Sequence, residues 1–386
     1  MGYLDMPLDA RFPGAADPAR FCSHGEVLRY LEAYAARFDL LRHCRLATAV
    51  RRAEPAPADG GAARWRVATA PADAPAEQEP RVEFFDALVA ANGHFSVPRL
   101  PPPYPGVDAF PGLLMHAHNY RRPQPFVGKS VVLVGAAFSG SDIAQELLDA
   151  GAARVTLSAR DWGDFAPGAV AGELRRAPDV AALRADGGVE FVDGSVAADV
   201  DALIFCTGYE YTFDFLEGTR AALEVDDNRV VGVFKDVWPL LGAGAPPLAL
   251  IGLPWRVAPF PQMQLQARWV ARLLAGRFAL PPADKMAADV ARQYAAMEAA
   301  NVPKRYTHRQ GGDVQRAYNE FLVAACRDPG EPDWPLWRSE LHSAVGASRR
   351  AHGAPFRDRP IFGGDEWLAA AAAEFAALHA AADAAQ

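Results

Sequence analysis

The chain has 386 residues, of which 51% are apolar and 22% charged, and a formal net charge of -8. That length and balance describe a globular protein with room for two cores, and the acidic excess argues against nucleic acid as a partner, which needs clustered Lys and Arg. Cys22, Cys44, Cys206 and Cys326 stand far apart with no Cys-x-x-Cys pair, so neither a zinc ribbon nor a redox dithiol is written here. The opening residues lack a basic and an apolar signal region, and no window holds eighteen uncharged apolar residues. The expectation is a soluble, cytoplasmic chain with reduced thiols and no membrane partner.

In chain order, Ser23-His24-Gly25-Glu26 has capping-box spacing, and Val27, Leu28, Leu31, Tyr34, Ala35 and Phe38 follow at helical intervals. From Cys44 to Asn92 the pattern turns to short β-prone runs (Leu46 to Val50, Trp65 to Ala68, Val82 to Phe85), which predict a meander with a loop at 55–63. Two eight-residue runs then echo each other, Asp86-Ala-Leu-Val-Ala-Ala-Asn-Gly93 and Asp201-Ala-Leu-Ile-Phe-Cys-Thr-Gly208. Each predicts a strand buried on both faces, as in a parallel sheet, ending in a small polar residue and a glycine. The echo is either chance in an Ala-rich chain or the closing strand of two related nucleotide-binding domains. Between them PRLPPPYPG (98–106) predicts a stiff crossover. Beyond Gly208 the pattern predicts a strand from Pro247 to Gly252 and helices near 263–274, 284–299 and 312–326, with a surface helix in the Ala-rich tail from Glu366.

The stretch VVLVGAAFSGSDIAQEL (131–147) reads as strand, tight turn and helix. Gly135 makes the turn, Gly140 lets helix approach strand, and Ile143, Ala144 and Leu147 form the buried helix face. The helix N-terminus offers N–H groups and partial positive charge to a pyrophosphate, although Ala137 stands where a middle glycine would allow closer approach. Arg154 to Ser158 supplies the second strand. Arg160 then sits where a carboxylate would favour NAD and a cation favours the 2′-phosphate of NADP, with Asp161 beside it. A βαβ unit without nucleotide is the plainer alternative. Upstream stands Phe110-x-Gly112-x-x-x-His116-x-x-x-Tyr120; His116 and His118 alternate as metal ligands can, but no third ligand is visible.

The succession ANGHFSVPRLP, FPGLLMHAHNY, FVGKSVVLVGAAFSGSDIAQEL, DALIFCTGYEYTFDFL and IGLPWRVAPFPQMQLQARW resembles the flavin-containing monooxygenases over roughly residues 20–325. The Phe110 to Tyr120 segment resembles that family's fingerprint, with Tyr120 where the related Baeyer-Villiger enzymes usually have Trp. The resemblance implies an α/β fold of the two-dinucleotide-binding-domain flavoprotein type. A Rossmann-like NADP domain (126–205) would be inserted into an FAD domain built from 1–125 and 206–386, the latter part including the C-terminal helices. It also implies a reaction: NADPH reduces FAD, oxygen adds at the flavin C4a, and the hydroperoxide passes one oxygen atom to a soft nitrogen or sulfur nucleophile, a small amine or sulfide. The cofactors would be NADP and FAD, and no catalytic side chain is implied.

Carried onto this chain, Gly135, Ala137, Ser139, Gly140, Ser141 and Asp142 match the NADP phosphate turn and Arg160 the 2′-phosphate contact; Asp142 either joins the turn or caps its helix. Asn92-Gly93 and Thr207-Gly208 would face the cofactors. Gln262, with Gln264, would approach the flavin ring from a helix N-terminus or serve only at the surface. The family's first strand and glycine turn, which hold FAD, are not found ahead of Met1-Gly-Tyr-Leu-Asp-Met-Pro-Leu. The expectation is therefore an incomplete FAD domain with weak FAD retention. It would come from a start assigned too late, a fragment completed by another chain, or a protein that kept NADP binding and lost oxygenation. The competing function is an NADP-binding module without turnover; a disulfide reductase is disfavoured because no Cys-x-x-Cys occurs.

Overall fold

A computed structural model describes residues 2–6, 8, 12–17, 21–57, 63–160, 162, 174–328, 334–352, 357, 369, 373 and 376. Most of the expected 55–63 loop, Asp161 and most of the expected tail helix lie outside the described residues, although Pro55 and Ala56 still belong to a strand. The helices are α1 (His24–Arg37), α2 (Phe138–Asp149), α3 (Pro259–Leu274), α4 (Ala283–Ala299), α5 (Gly312–Cys326) and α6 (Leu336–His352). The chain divides into two compact units: Met1–His94 with Tyr211–Ser343, and Phe95–Glu210 with Ala344–Ile361.

The second unit is built on a five-stranded parallel sheet in the order Leu113–His116, Ala202–Phe205, Ser130–Val134, Arg154–Ser158, Leu174–Ala177. The segment 126–205 lies within this unit, yet the sheet also takes Leu113–His116 from upstream, paired in register with Ala202–Phe205. Val131 and Leu133 point to one face, under Ile143, Ala144 and Leu147 of α2. Val132 and Val134 point to the other, which a small antiparallel sheet (Val180–Leu183, Val189–Phe191, Val196–Ala197) covers with Val180, Leu183, Val189 and Phe191. Because both faces are covered, the strand reads as an unbroken apolar run: none of these four residues is more than 5% exposed. Burying each contributes about 1.5–3 kcal/mol.

In the first unit the expected meander forms as Thr48–Ala56, Arg64–Pro71 and Arg81–Phe85, paired antiparallel in sequence order. Its Trp65 is fully buried, and the indole Nε1 donates to Pro247 O at 2.8 Å. Pro247 leads into Leu248–Leu250, which pairs parallel with Leu88–Ala90, so both echoed runs end up in parallel sheets. The capping box does not form. Ser23 stands at the N-cap without a side-chain bond to the helix, while Glu26 is buried and accepts from Ala16 N at 2.9 Å and from Arg29. The carboxylate ties the preceding loop instead of closing the box.

Candidate functional site

The strand Ser130–Val134 sends its chain to one side of the sheet through α2, whereas its other neighbour, Ala202–Phe205, is reached from the far side. Strand order therefore reverses between them. The crevice beyond the carboxyl ends at such a reversal is where open α/β sheets bind ligands, and Gly135 and Cys206 open the two loops there. Gly135 has φ +109°, and a Cβ added to it would lie 2.5 Å from Cys206 O; a Cβ on Gly140 would lie 1.8 Å from Gly135 O. Strand end, turn and helix thus touch backbone to backbone, and no side chain fits between them.

The N-cap of α2 is Ala137, whose methyl offers no acceptor. The first-turn amides of α2 are left facing whatever anion occupies the turn. Ala137 and Ser139 are exposed there, and Ser141 braces the turn by donating Oγ–H to Ala136 O at 3.1 Å. Asp142 is no cap: it lies five residues past Ala137, and its Oδ1 receives Arg357 at 2.9 Å with Arg349 at 3.7 Å. Arg160 is exposed just past the end of Arg154–Ser158, on the same edge of the sheet. Thr207 and Gly208 stand on that edge too; Thr207 Oγ1 donates to Arg99 O, and Gly208 (φ +85°) accepts from Arg99 N at 2.9 Å. Burial pushes the neighbouring Cys206 thiol up to about 12, so it takes no part as a thiolate.

The structure thus gathers Gly135 to Asp142, Arg160 and Thr207-Gly208 on one edge, and leaves Asn92, Gly93 and Gln262 in the other unit. Asn92 Nδ2 donates to Thr212 O at 3.1 Å, and Gly93 turns at φ +71° with open space where a Cβ would stand. Gln262 is 1% exposed and donates to Gln310 Oε1 at 2.7 Å, with Asn319 Oδ1 at 3.5 Å. Gln264 accepts Leu4 N at 2.6 Å and donates to Asp5 at 2.8 Å. Both amides hold α3 to other segments of their own unit.

The fingerprint segment has a structural logic. Phe110 is buried and its ring lies where a Cβ of Gly112 would be, 2.5 Å from its Cε1. Buried His116, its pKa lowered by desolvation, accepts from His118 N through Nδ1 at 3.0 Å, and Tyr120 donates to Glu146 of α2 at 2.9 Å. The segment fastens an edge strand to the helix that follows the Gly135 turn. Arg349 and Arg357 escaped the sequence reading, because no local motif marks a partner some 200 positions away.

A family model described as flavin-binding monooxygenase-like matches residues 1–170 and 163–326. The chain belongs to that family. It is 38% identical over 361 residues to flavin-containing monooxygenase FMO GS-OX-like 3 of Arabidopsis thaliana, covering 92% of this chain and 77% of the relative. The structure of S-allyl-L-cysteine S-oxygenase from Allium sativum superposes with a TM-score of 0.84 at 35% identity, over 97% of this chain and 81% of that one. Tmm from Pelagibacter sp. strain HTCC7211 (TM-score 0.74, 21% identity, covering 94% and 78%) shares the fold.

The two-dinucleotide-binding architecture is therefore that of a monooxygenase using FAD and NADPH to pass one oxygen atom to a soft nitrogen or sulfur nucleophile. The dinucleotide phosphate fits the second unit, whose backbone cradle at Gly135 and Gly140 would be filled by a Cβ. When bound, NADPH supplies a hydride; the residues that would hold it are those of the α2 terminus and the glycine cradle, with Arg160 on the same edge. In the first unit the strand Leu248–Leu250 passes Gly252 on its way to α3, but α3 starts only at Pro259 and a Cβ on Gly252 would meet only the Met263 side chain, so these elements build no close backbone cradle for the FAD pyrophosphate like that of Gly135 and Gly140. They offer the carboxyl edge of the parallel pair, with Gly93 and Gly252 both at positive φ.

Proposed function

We propose that this chain oxygenates the sulfur of a small thioether, drawing its electrons from NADPH held at the Gly135–Gly140 turn, with the 2′-phosphate paired to Arg160. The observation that carries the nucleotide half is the glycine turn at the strand reversal, with a cation at the end of the second strand. The 35% identity with an S-oxygenase over 97% of this chain supports sulfur over nitrogen. A tertiary amine such as N,N-dimethylaniline is the competing substrate. The four free cysteines support a reducing, cytoplasmic setting, and 126–205 is assigned as the nicotinamide segment.

The test is product mass. An S-alkyl cysteine incubated with enzyme, flavin, NADPH and dioxygen gains one oxygen atom, the other leaving as water, and consumes one NADPH and one dioxygen, and it outcompetes N,N-dimethylaniline in a mixed reaction. Preferential N-oxide formation would sink the sulfur assignment. Equal rates with NADH would sink the role of Arg160.

A further inference from the structure

The strands Arg154–Ser158 and Leu174–Ala177 run parallel, with Ser158 opposite Ala177. The chain beyond each stays pinned to the other: Ala159 N donates to Ala177 O at 3.2 Å, and fully buried Ser158 donates Oγ–H to Pro178 O at 2.6 Å. Two residues past that pair, one strand carries Arg160 and its neighbour Asp179. Asp179 is half-buried and fixed twice over, since its carbonyl accepts Val192 N at 3.0 Å and its carboxylate Oδ1 accepts Val180 N at 3.0 Å. Among the described residues neither Asp179 Oδ2 nor the Arg160 guanidinium has a hydrogen-bond partner, and the two form no ion pair with each other. They do share one neighbourhood. Burial pushes up the phenol of Tyr104, whose ring stacks on Phe205 with centroids 6.4 Å apart; the Asp179 charge adds to that rise and the Arg160 charge offsets part of it.

Neighbouring strand ends stand about 4.8 Å apart, and the groups of an adenosine nucleotide follow one another as phosphate, ribose and base. With the pyrophosphate on the turn after Ser130–Val134 and the 2′-phosphate at Arg160 beside the next strand, the base falls at the strand after that, where Asp179 stands. Adenine presents an exocyclic amine, which donates, and an ionised carboxylate only accepts. Val180 N takes Oδ1, which leaves Oδ2 for the amine.

We propose that Asp179 sets the base specificity of the nucleotide site, its Oδ2 accepting an N–H from the 6-amino group of adenine. This rests on the reading of Gly135–Gly140 and Arg160 as that site. Adenine is common to NADP and NAD, so Asp179 strengthens both alike, whereas Arg160 discriminates between them.

The test uses the full chain, with three nucleotides titrated by calorimetry at fixed salt: NADP, NAD, and the hypoxanthine analogue of NADP, in which a carbonyl replaces the 6-amino group. The parent binds NADP about tenfold more tightly than the analogue, whose carbonyl oxygen meets a carboxylate with no proton between them. Asp179→Asn keeps an oxygen for Val180 N, so its amide N–H groups stand where Oδ2 was and the order reverses, with NADP weakened and the analogue strengthened by about threefold or more. Asp179→Ala abolishes the preference and weakens NADP and NAD by the same factor. A parent that binds NADP and the analogue equally, an asparagine variant that keeps the parent's order, or an alanine variant in which the ratio of NADP to NAD affinity changes overturns the assignment; in the last case Asp179 acts on the phosphate, not the base. Arg160→Ala separates the two claims. If NADP keeps its advantage over NAD in that variant, the reading of this edge fails and the base assignment with it; if the advantage goes while the Asp179 variants keep the parent's preference, only the base assignment fails.

Discussion

Gly135→Ala is the smallest change that tests whether the phosphate turn depends on backbone contact. Two costs add. A φ of +109° is a region L-residues avoid, at about 1–3 kcal/mol. The new methyl would also stand 2.5 Å from Cys206 O and 3.0 Å from its carbonyl carbon, and relieving such an overlap costs about 1–3 kcal/mol more. Cys206 has little room to retreat, since its N–H is bonded to Val134 O at 2.7 Å. The sum, about 2–6 kcal/mol, is a large part of the roughly 5–15 kcal/mol that holds a typical domain. It should lower the thermal midpoint by about 4–24 °C at about 2–4 °C per kcal/mol. Where the fold survives, the displaced turn should weaken NADP by about tenfold or more, equivalent to about 1.4 kcal/mol. The assay is a melting curve, with NADP titrated well below the midpoint. A variant that melts within about 1 °C of the parent and binds NADP equally well would refute the close-contact account.

Arg160→Ala should bring NADP affinity down to that of NAD and leave NAD unchanged; equal affinities in the parent, by calorimetry at fixed salt, would refute the charge assignment. Ala137→Gly should hold or improve nucleotide affinity, since a bare backbone lets the phosphate closer; a clear loss would show that the methyl packs against the ligand. His308→Ala removes a buried ring that bonds Asp236 Oδ1 through Nδ1 at 2.7 Å and accepts Val230 N at 3.0 Å. Leaving those two buried groups without the ring should cost about 1–3 kcal/mol, read from the urea midpoint at constant slope, and a loss under about 0.5 kcal/mol would mean that water replaces the ring. With its thiol at about 12, Cys206 should stay unalkylated by iodoacetamide at pH 8 while exposed Cys44 reacts; comparable labelling of the two by peptide mass would contradict the burial.

What the sequence determined by itself is local. Apolar periodicity marked α2 and its neighbouring strands, and α5 falls at Gly312–Cys326 as expected, because buried faces repeat at fixed intervals along the chain. Gly135 and Gly140 were legible because a tight turn and a close helix contact admit no other residue. Long-range partners carry no such periodic mark, and only the tertiary structure supplied them. Leu113–His116 joins the five-stranded sheet by pairing with Ala202–Phe205, nearly ninety positions on. Gln262, legible as an amide near a helix start, is instead spent on Gln310 and Asn319. Arg349 and Arg357 meet Asp142 across more than 200 positions. An arginine's chemistry is the same wherever it stands in a chain, and which anion it serves is decided by the surface onto which folding carries it.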